Sequence, residues 1–286
     1  MKRRTFLSLI PLGAVFTGCA ANPFHFIQMA DTQLGMIEQS EDGDRFAEET
    51  RMMERVVAQI NVMEPPPAFV VVCGDLTNLP AHEGQIAEYK RLMGLLKPSI
   101  PYRNVSGNHD FAGNPNPDNL AFYRATFGPD RYYFDLRGRR FVVLNSTLMK
   151  FADDCRIEAD AQNVWLEKIL AGAAGMDGTI VFMHHPFFDV DIDEDDGYHA
   201  IMRADRRFYL DLFAENNVEA VFSGHRHTTI PEHDYKGVAL VNTNAVCNSF
   251  DGNAGLRVVK VTGKGVRHKF YPWDGLPGRV DLGMET

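Results

Sequence analysis

Five apolar segments of this 286-residue chain each end in a short cluster of residues that commonly bind metal ions. The segments are rich in β-branched and aromatic residues, which is typical of buried strands. Ligands of open α/β sheets collect at the carboxyl ends of the strands, so this arrangement predicts one convergent site on an α/β fold. The five polar clusters cover residues 31–33, 74–75, 107–110, 184–185 and 224–227.

Each cluster on its own has an ordinary structural explanation. A Gly-Asp pair after a strand is usually a turn, and an Asn-His pair is usually part of a capped loop. Five clusters in one chain are difficult to explain in this way. A carboxylate or imidazole buried at the end of a strand costs several kcal/mol unless it is paired or bound to a metal ion. The set therefore predicts a metal centre.

Hydrophobic periodicity divides the rest of the chain into alternating strands and helices. Consecutive prolines at positions 65–67 end the first predicted helix, because proline lacks an amide donor and restricts the residue before it. No linker or shift in composition divides residues 24–272, so we expect one domain. The predicted strands are 24–30, 68–73, 101–105, 132–136, 140–145, 179–183, 218–223, 238–242, 255–261 and 266–271, and the predicted helices are 45–63, 83–96, 118–126, 158–172 and 200–215.

Composition excludes several classes of protein. With 45% hydrophobic residues, the chain can bury a large core and is not disordered. A net charge of -9 gives no basic field for a DNA duplex, so we expect no nucleic-acid scaffold function. Four cysteines are too few for a disulfide framework, although a pair between Cys155 and Cys247 stays open.

The first 20 residues are typical of a targeting segment. Lys2, Arg3 and Arg4 precede a short apolar stretch, as in a twin-arginine signal. The sequence from Phe16 to Cys19 resembles a bacterial lipobox, in which the cysteine is lipidated. We therefore expect residues 1–20 to be a leader, residues 21–286 to form the domain, and the product to be an exported periplasmic protein or a lipoprotein held to the membrane at Cys19. A soluble periplasmic product and an uncut anchor are the alternatives.

The order and spacing of the five clusters closely resemble those of the calcineurin-like metallophosphoesterases. The signature of that family runs Asp-x-His, Gly-Asp, Gly-Asn-His-Asp or Glu, a His, and Gly-His-x-His. Segments 30–35, 192–196 and 256–259 are similar to a subgroup, the calcineurin-like phosphoesterase domain-containing proteins, which has Ser/Thr phosphatase members. The resemblance implies a four-layer sandwich of two mixed β-sheets flanked by helices.

The resemblance also implies two divalent metal ions that share one carboxylate, Asp75. A bridging water activated by both ions would attack phosphorus in line as hydroxide. If the segment from His225 to His227 is extended, both imidazoles are expected to point to one side, so that each can reach a different ion. The implied ligands are Asp31, Gln33, Asp75 and His227 for the first ion, and Asp75, Asn108, His184 and His225 for the second.

Four further residues lie within the clusters, and the resemblance gives roles to two of them, His109 and Asp110. His109 would protonate the departing oxygen, with Asp110 orienting its ring. The alternative is that His109 only makes a hydrogen bond to a metal ligand. His185 follows a ligand and would face the substrate phosphate or pack under Pro186. Arg226 points away from the ligands beside it, which favours a structural role.

Gln33 departs from the family pattern, which carries histidine at this position. An amide oxygen is a harder and weaker donor than imidazole, so the first position should favour Mn²⁺, Fe or Mg²⁺ over Zn²⁺. Alternatively, Gln33 leaves an open coordination position.

These observations predict a dimetal-dependent phosphoesterase that hydrolyses phosphate monoesters, phosphoproteins among them. One alternative is a Mn-dependent phosphodiesterase or nucleotide-diphosphate pyrophosphatase acting on compounds such as ADP-ribose. Another is a non-catalytic exported lipoprotein that binds metal or phosphate. The acidic loop 189–196 is either a solvated loop or a rim that repels polyanions.

Overall fold

The computed structural model describes residues 22–40, 42–111 and 113–283. Two mixed β-sheets form its centre. The first has the strand order β11-β10-β1-β2-β3, and the second has the order β4-β5-β6-β7-β9-β8. The strands are β1 (Phe24–Met29), β2 (Val70–Cys73), β3 (Tyr102–Val105), β4 (Tyr132–Leu136), β5 (Arg139–Val143), β6 (Gly178–Phe182), β7 (Val218–Ser223), β8 (His233–Tyr235), β9 (Val238–Asn242), β10 (Gly255–Thr262) and β11 (Gly265–Pro272).

Helices cover the outer faces of both sheets. α1 presents one apolar stripe that includes Met53, Val57 and Ile60 to the first sheet, and α6 presents Leu210 and Phe213 to the second. The expected four-layer sandwich is therefore confirmed. The helices are α1 (Ala47–Asn61), α2 (Glu83–Met93), α3 (Pro117–Phe127), α4 (Ser146–Lys150), α5 (Arg156–Ala171) and α6 (Arg203–Glu215).

An aromatic core fills the space between the two sheets. Phe26 stacks on Phe69 with ring centroids 4.6 Å apart, and its edge meets Phe141 and Phe182 from the second sheet. Such edge-to-face pairs add to the free energy gained from burying the rings. This core fixes how the two sheets face each other. It therefore also fixes the relative positions of the strand ends of the two sheets.

Parallel pairing brings the predicted ligands to one edge. β1, β2 and β3 run parallel in the first sheet, and β5, β6, β7 and β9 run parallel in the second. Asp31, Asp75 and Asn108 follow the parallel strands of the first sheet, whereas His184 and His225 follow strands of the second. The site therefore lies where the carboxyl ends of both sheets meet, as expected for an α/β fold.

The sequence pattern did not predict two short elements, β8 and α4. Three and five residues are too few to show a period, so they could be found only in the folded chain. The pairing of Cys155 with Cys247, which the sequence left open, is absent, since the three cysteines within the described residues are all free. No helix in the described ranges is long and apolar enough to cross a bilayer. The leader and Cys19 lie outside the described residues.

Candidate metal centre

The predicted ligands lie on sharp turns directly after their strands. Five of them have a positive φ: Asp31 at 54°, Gln33 at 37°, Asp75 at 49°, His225 at 76° and His227 at 51°. Non-glycine residues rarely adopt this conformation, and where they do the surrounding structure must hold them there. Such strained turns cluster at functional sites, which is the case here.

Two groups of ligand atoms share the carboxylate of Asp75. Asp75, His184 and His225 form one group, and Asp31, Asp75 and His227 form the other, with the ligand atoms of each group within 4.8 Å of one another. All five side chains are buried. Buried carboxylates and imidazoles at this spacing are an environment that a pair of cations would stabilise.

The atoms around His184 have the spacing of ligands on one metal ion. His184 Nε2 lies 3.0 Å from Asn108 Oδ1, 3.0 Å from His225 Nδ1 and 3.2 Å from Asp75 Oδ2. Ligands about 2.1 Å from an ion and at right angles to each other are about 3 Å apart. The donor set of the second position therefore fits a divalent metal.

The first position contains buried oxygens that lack partners. Asp31 Oδ1 and Gln33 Oε1 have no hydrogen-bond partner within the described chain. Asp31 Oδ1 lies 3.4 Å from His227 Nε2, and Gln33 Nε2 donates to Asn78 Oδ1 at 3.3 Å. The Gln33 amide thus presents its oxygen away from Asn78, as a ligand to a hard cation requires.

Backbone carbonyls orient two of the histidines. The Nδ1 of His184 contacts the carbonyl of Cys73 at 2.8 Å, and the Nδ1 of His227 contacts the carbonyl of Asn248 at 2.5 Å. A ring that donates from Nδ1 leaves the lone pair of Nε2 directed at the site, which is the arrangement found around metal-bound histidines. The outer contacts therefore prepare both rings to bind metal.

The site attracts cations. Burial opposes ionisation of Asp75, but the imidazoles of His184 and His109 hold the pKa of its carboxyl below the usual range. Burial likewise opposes protonation of His184, yet the charge of Asp75 raises its pKa to about 9. Because a metal-bound histidine must be neutral, metal binding competes with protonation of His184.

His109 and Asp110 lie at the site but do not interact as expected. The Nδ1 of His109 contacts the carbonyl of Asn78 at 2.8 Å, and its backbone amide donates to Asp75 Oδ1 at 2.9 Å. Asp110 accepts instead from the amides of Gly107 at 2.8 Å and Leu76 at 3.1 Å. The expectation that Asp110 orients the His109 ring is therefore wrong, because Asp110 braces the two turns that carry Asp75 and Asn108.

His185 packs behind the ligands. Only 1% of it is exposed, and its Nδ1 lies 2.9 Å from Ser146 Oγ. Its ring centroid also lies 4.5 Å from that of the ligand candidate His225. These contacts favour packing beside the ligands, and contact with the substrate phosphate stays a prediction. Arg226 pairs with Asp189 at 2.8 Å, which is the structural role expected of it.

The acidic loop 189–196 is largely neutralised by its own neighbours. Asp193 binds Arg207 at 2.7 Å, and Glu194 accepts from the amides of Asp189 and Val190, each at 2.9 Å. Arg206 is fully buried beneath the loop and donates to the carbonyls of residues 192, 194 and 201. The contacts therefore favour a braced loop over a repulsive rim.

Several residues that support the site were not predicted. Glu49 on α1 accepts from the amides of Gly35 and Ile37, which follow the first cluster. An acidic residue on the apolar stripe of a helix was the signal that could have revealed it. Ser146 accepts from the amide of His184 at 3.2 Å, and Tyr198 receives a hydrogen bond from Asn108. No local pattern marks these two residues.

The fold and the site define a metal-dependent phosphoesterase. The calcineurin-like phosphoesterase family model matches residues 24–229, and the chain belongs to that family. The chain is 35% identical over 267 residues to the serine/threonine-protein phosphatase CPPED1 of Bos taurus, covering 89% of this chain and 85% of the relative. It is also 35% identical to the CPPED1 of Danio rerio, over 91% of this chain and 88% of the relative.

A solved structure supports the same architecture. A dimetal phosphatase from Danio rerio superposes with a TM-score of 0.61 at 15% identity and covers 87% of this chain and 99% of its own. At this identity the likeness concerns the fold alone. The family match, the relatives and the shared-carboxylate site together identify the protein as a dimetal, metal-dependent phosphatase, which disfavours the non-catalytic alternative.

Proposed function

We propose that this protein hydrolyses phosphate monoesters and that phosphorylated serine or threonine side chains of proteins are among its substrates. The observation that carries the proposal is the pair of ligand groups joined at Asp75, with the half-buried His109 beside them. The names of the curated relatives support the choice of a phosphoprotein substrate.

The residues of the site have two roles in the proposed hydrolysis: some would hold the metal ions, and others brace the turns that carry these ligands. A pair of divalent ions bound here would supply charge to hold the phosphate and would lower the pKa of water for attack. Asp31, Gln33 and His227 would hold the first ion, while Asn108, His184 and His225 would hold the second, with Asp75 shared between them. The turns are braced by Asp110, Glu49 and Ser146, so the ligands are held in place before substrate arrives.

His109 is the residue that we propose as the general acid. Its Nδ1 is engaged by the carbonyl of Asn78, so Nε2 is left to deliver a proton to the departing oxygen. Removal of the ring should therefore lower the rate most for substrates with poor leaving groups. We expect His109→Ala to lower kcat for an alkyl phosphate by about 10²–10⁴-fold. The same variant should lose much less with p-nitrophenyl phosphate, whose leaving group needs little protonation, and equal losses would contradict the assignment.

A substrate panel tests the reaction class. The protein loaded with Mn²⁺ is assayed with p-nitrophenyl phosphate, bis-p-nitrophenyl phosphate, phosphoserine peptides and ADP-ribose. We expect the monoesters to be turned over fastest, and a preference for the diester or for ADP-ribose would overturn the proposal in favour of a phosphodiesterase or pyrophosphatase. Asp75→Asn should abolish turnover. Asp211→Asn, which affects a surface ion pair with Lys236, is the matched control.

The metals themselves are proposed from the donor set. The oxygen of Gln33 favours Mn²⁺, Fe or Mg²⁺ at the first position, while the imidazoles of the second also suit Zn²⁺. Elemental analysis of the purified protein checks this proposal. Two equivalents of Zn²⁺ with full activity would contradict it.

We also propose that the protein is exported and anchored by lipid at Cys19. The support is the basic start and the lipobox-like sequence that ends in Cys19. Expression of the full chain in a bacterium, followed by fractionation and mass analysis of the mature N-terminus, tests it. We expect a diacylated cysteine in the membrane fraction, and Cys19→Ser should release the anchor. A soluble cytoplasmic product with residue 1 intact would overturn the proposal.

A further inference from the structure

A tyrosine outside the ligand set stands over the second metal position. Tyr198 is 59% exposed, and its ring centroid lies 5.1 Å from that of His225. Its hydroxyl oxygen lies 3.1 Å from Asn108 Nδ2. A large aromatic residue is therefore held at the mouth of the site with part of its surface open to an incoming molecule.

The direction of the Asn108 hydrogen bond determines what the hydroxyl can do. Asn108 Oδ1 faces His184 Nε2 at 3.0 Å, on the side of the proposed ion, so its Nδ2 is the group that faces Tyr198. An amide nitrogen can only donate, and the hydroxyl oxygen must accept. The proton of Tyr198 is then left for another acceptor.

A buried lysine fixes the loop that carries the tyrosine. Lys150 on α4 donates from Nζ to the carbonyl of Gly197 at 2.7 Å and to that of Ala200 at 2.6 Å. These carbonyls flank Tyr198 on both sides. Ser146 of the same helix accepts from the amides of His184 and His185, so one short helix positions both a ligand and the tyrosine loop.

We propose that the Tyr198 hydroxyl donates a hydrogen bond to a phosphoryl oxygen of the bound substrate, and that Lys150 positions it for that contact. This inference rests on the proposed function, since it assigns a substrate contact in the same site. The Asn108 amide places Oδ1 towards the proposed ion and Nδ2 towards the Tyr198 hydroxyl. A phosphoryl group bound beside Asn108 would therefore lie within reach of the hydroxyl proton. A charge-assisted hydrogen bond of this kind is among the strong ones in proteins.

The test uses Tyr198→Phe, which removes the hydroxyl and keeps the ring. We expect kcat/KM for phosphate monoesters to fall about 10- to 100-fold, as loss of a hydrogen bond to a charged group predicts. Calorimetry with inorganic phosphate and the Mn²⁺-loaded protein should show about tenfold weaker binding, with an unchanged metal content. The control is Tyr235→Phe on edge strand β8, which removes a hydroxyl that donates to Asp211 on α6. Unchanged phosphate affinity and kcat/KM in Tyr198→Phe would overturn the proposal.

The positioning role of Lys150 is tested by a double-mutant cycle. Lys150→Met should lower kcat/KM in the wild-type background but add little in the Tyr198→Phe background, because both changes remove the same contact. If Lys150→Met does not fold, Lys150→Arg is compared in the same two backgrounds. Additive losses would refute the link between the two residues. Phosphate binding is measured without turnover, so the two proposals can fail separately. Inactivity on every ester would overturn the proposed function, whereas the Tyr198 contact is judged by the phosphate affinities of the wild type and Tyr198→Phe.

Discussion

His25 in β1 should make the fold sensitive to acid. The residue is fully buried, and neither ring nitrogen has a hydrogen-bond partner within the described residues. Burial, followed by the charge of Lys260, lowers the pKa of His25 to about 4. In the unfolded chain the same imidazole titrates near its ordinary pKa of about 6.5. The unfolded state therefore binds a proton more readily than the folded state.

The sign and size of the effect follow from the two pKa values. Because the pKa is depressed in the folded state, the neutral ring is tolerated above pH 6.5, and stability is lost as the pH falls from 6.5 towards 4. Each pKa unit corresponds to about 1.4 kcal/mol. At pH 5.0 the unfolded ring is almost fully protonated and the folded ring almost fully neutral, which amounts to a loss of about 2 kcal/mol.

The variant His25→Leu removes both ring nitrogens at similar volume. We expect its stability at pH 7.5 to lie within about 1.5 kcal/mol of the wild type, as for other volume-conserving changes. Urea unfolding of the metal-free proteins at pH 7.5 and 5.0 measures the difference. On going to pH 5.0, the wild type should lose about 2 kcal/mol more than the variant. Other titrating groups cancel in this comparison, so an equal loss in both proteins would refute the assignment of a neutral buried His25.

Three further changes test the site and its supports. Gln33→His should raise the relative affinity of the first position for Zn²⁺, and unchanged metal content and activation by elemental analysis and assay would show that residue 33 does not bind metal. Gly74→Ala should displace the His184 ring, which a Cβ would meet, and lower metal affinity about 10–100-fold in a titration with Mn²⁺. Arg206→Met leaves two carbonyls of the acidic loop and that of Ile201 without their donor, and we expect about 3 kcal/mol lower stability by thermal or urea unfolding.

The sequence by itself determined where most of the strands lie along the chain and which ligand candidates follow them. Both are local properties. A strand such as β2 is a run of apolar residues, and Gly74 with Asp75 follows it directly, so the pattern and the turn can be seen within a few residues. The rule that ligands collect at the carboxyl ends of parallel strands then predicted that the clusters meet, and the structure brings them together.

The tertiary structure decided which partners hold these side chains. Asn78, and not the adjacent Asp110, contacts the ring of His109, although Asn78 lies 31 positions earlier in the chain. Tyr198 reaches Asn108 across 90 residues, and Lys150 reaches Ala200 across 50. Such contacts depend on how two sheets and their loops pack, which no local period encodes. Local sequence therefore specifies the strands and the chemistry at their ends, whereas long-range packing specifies how that chemistry is oriented.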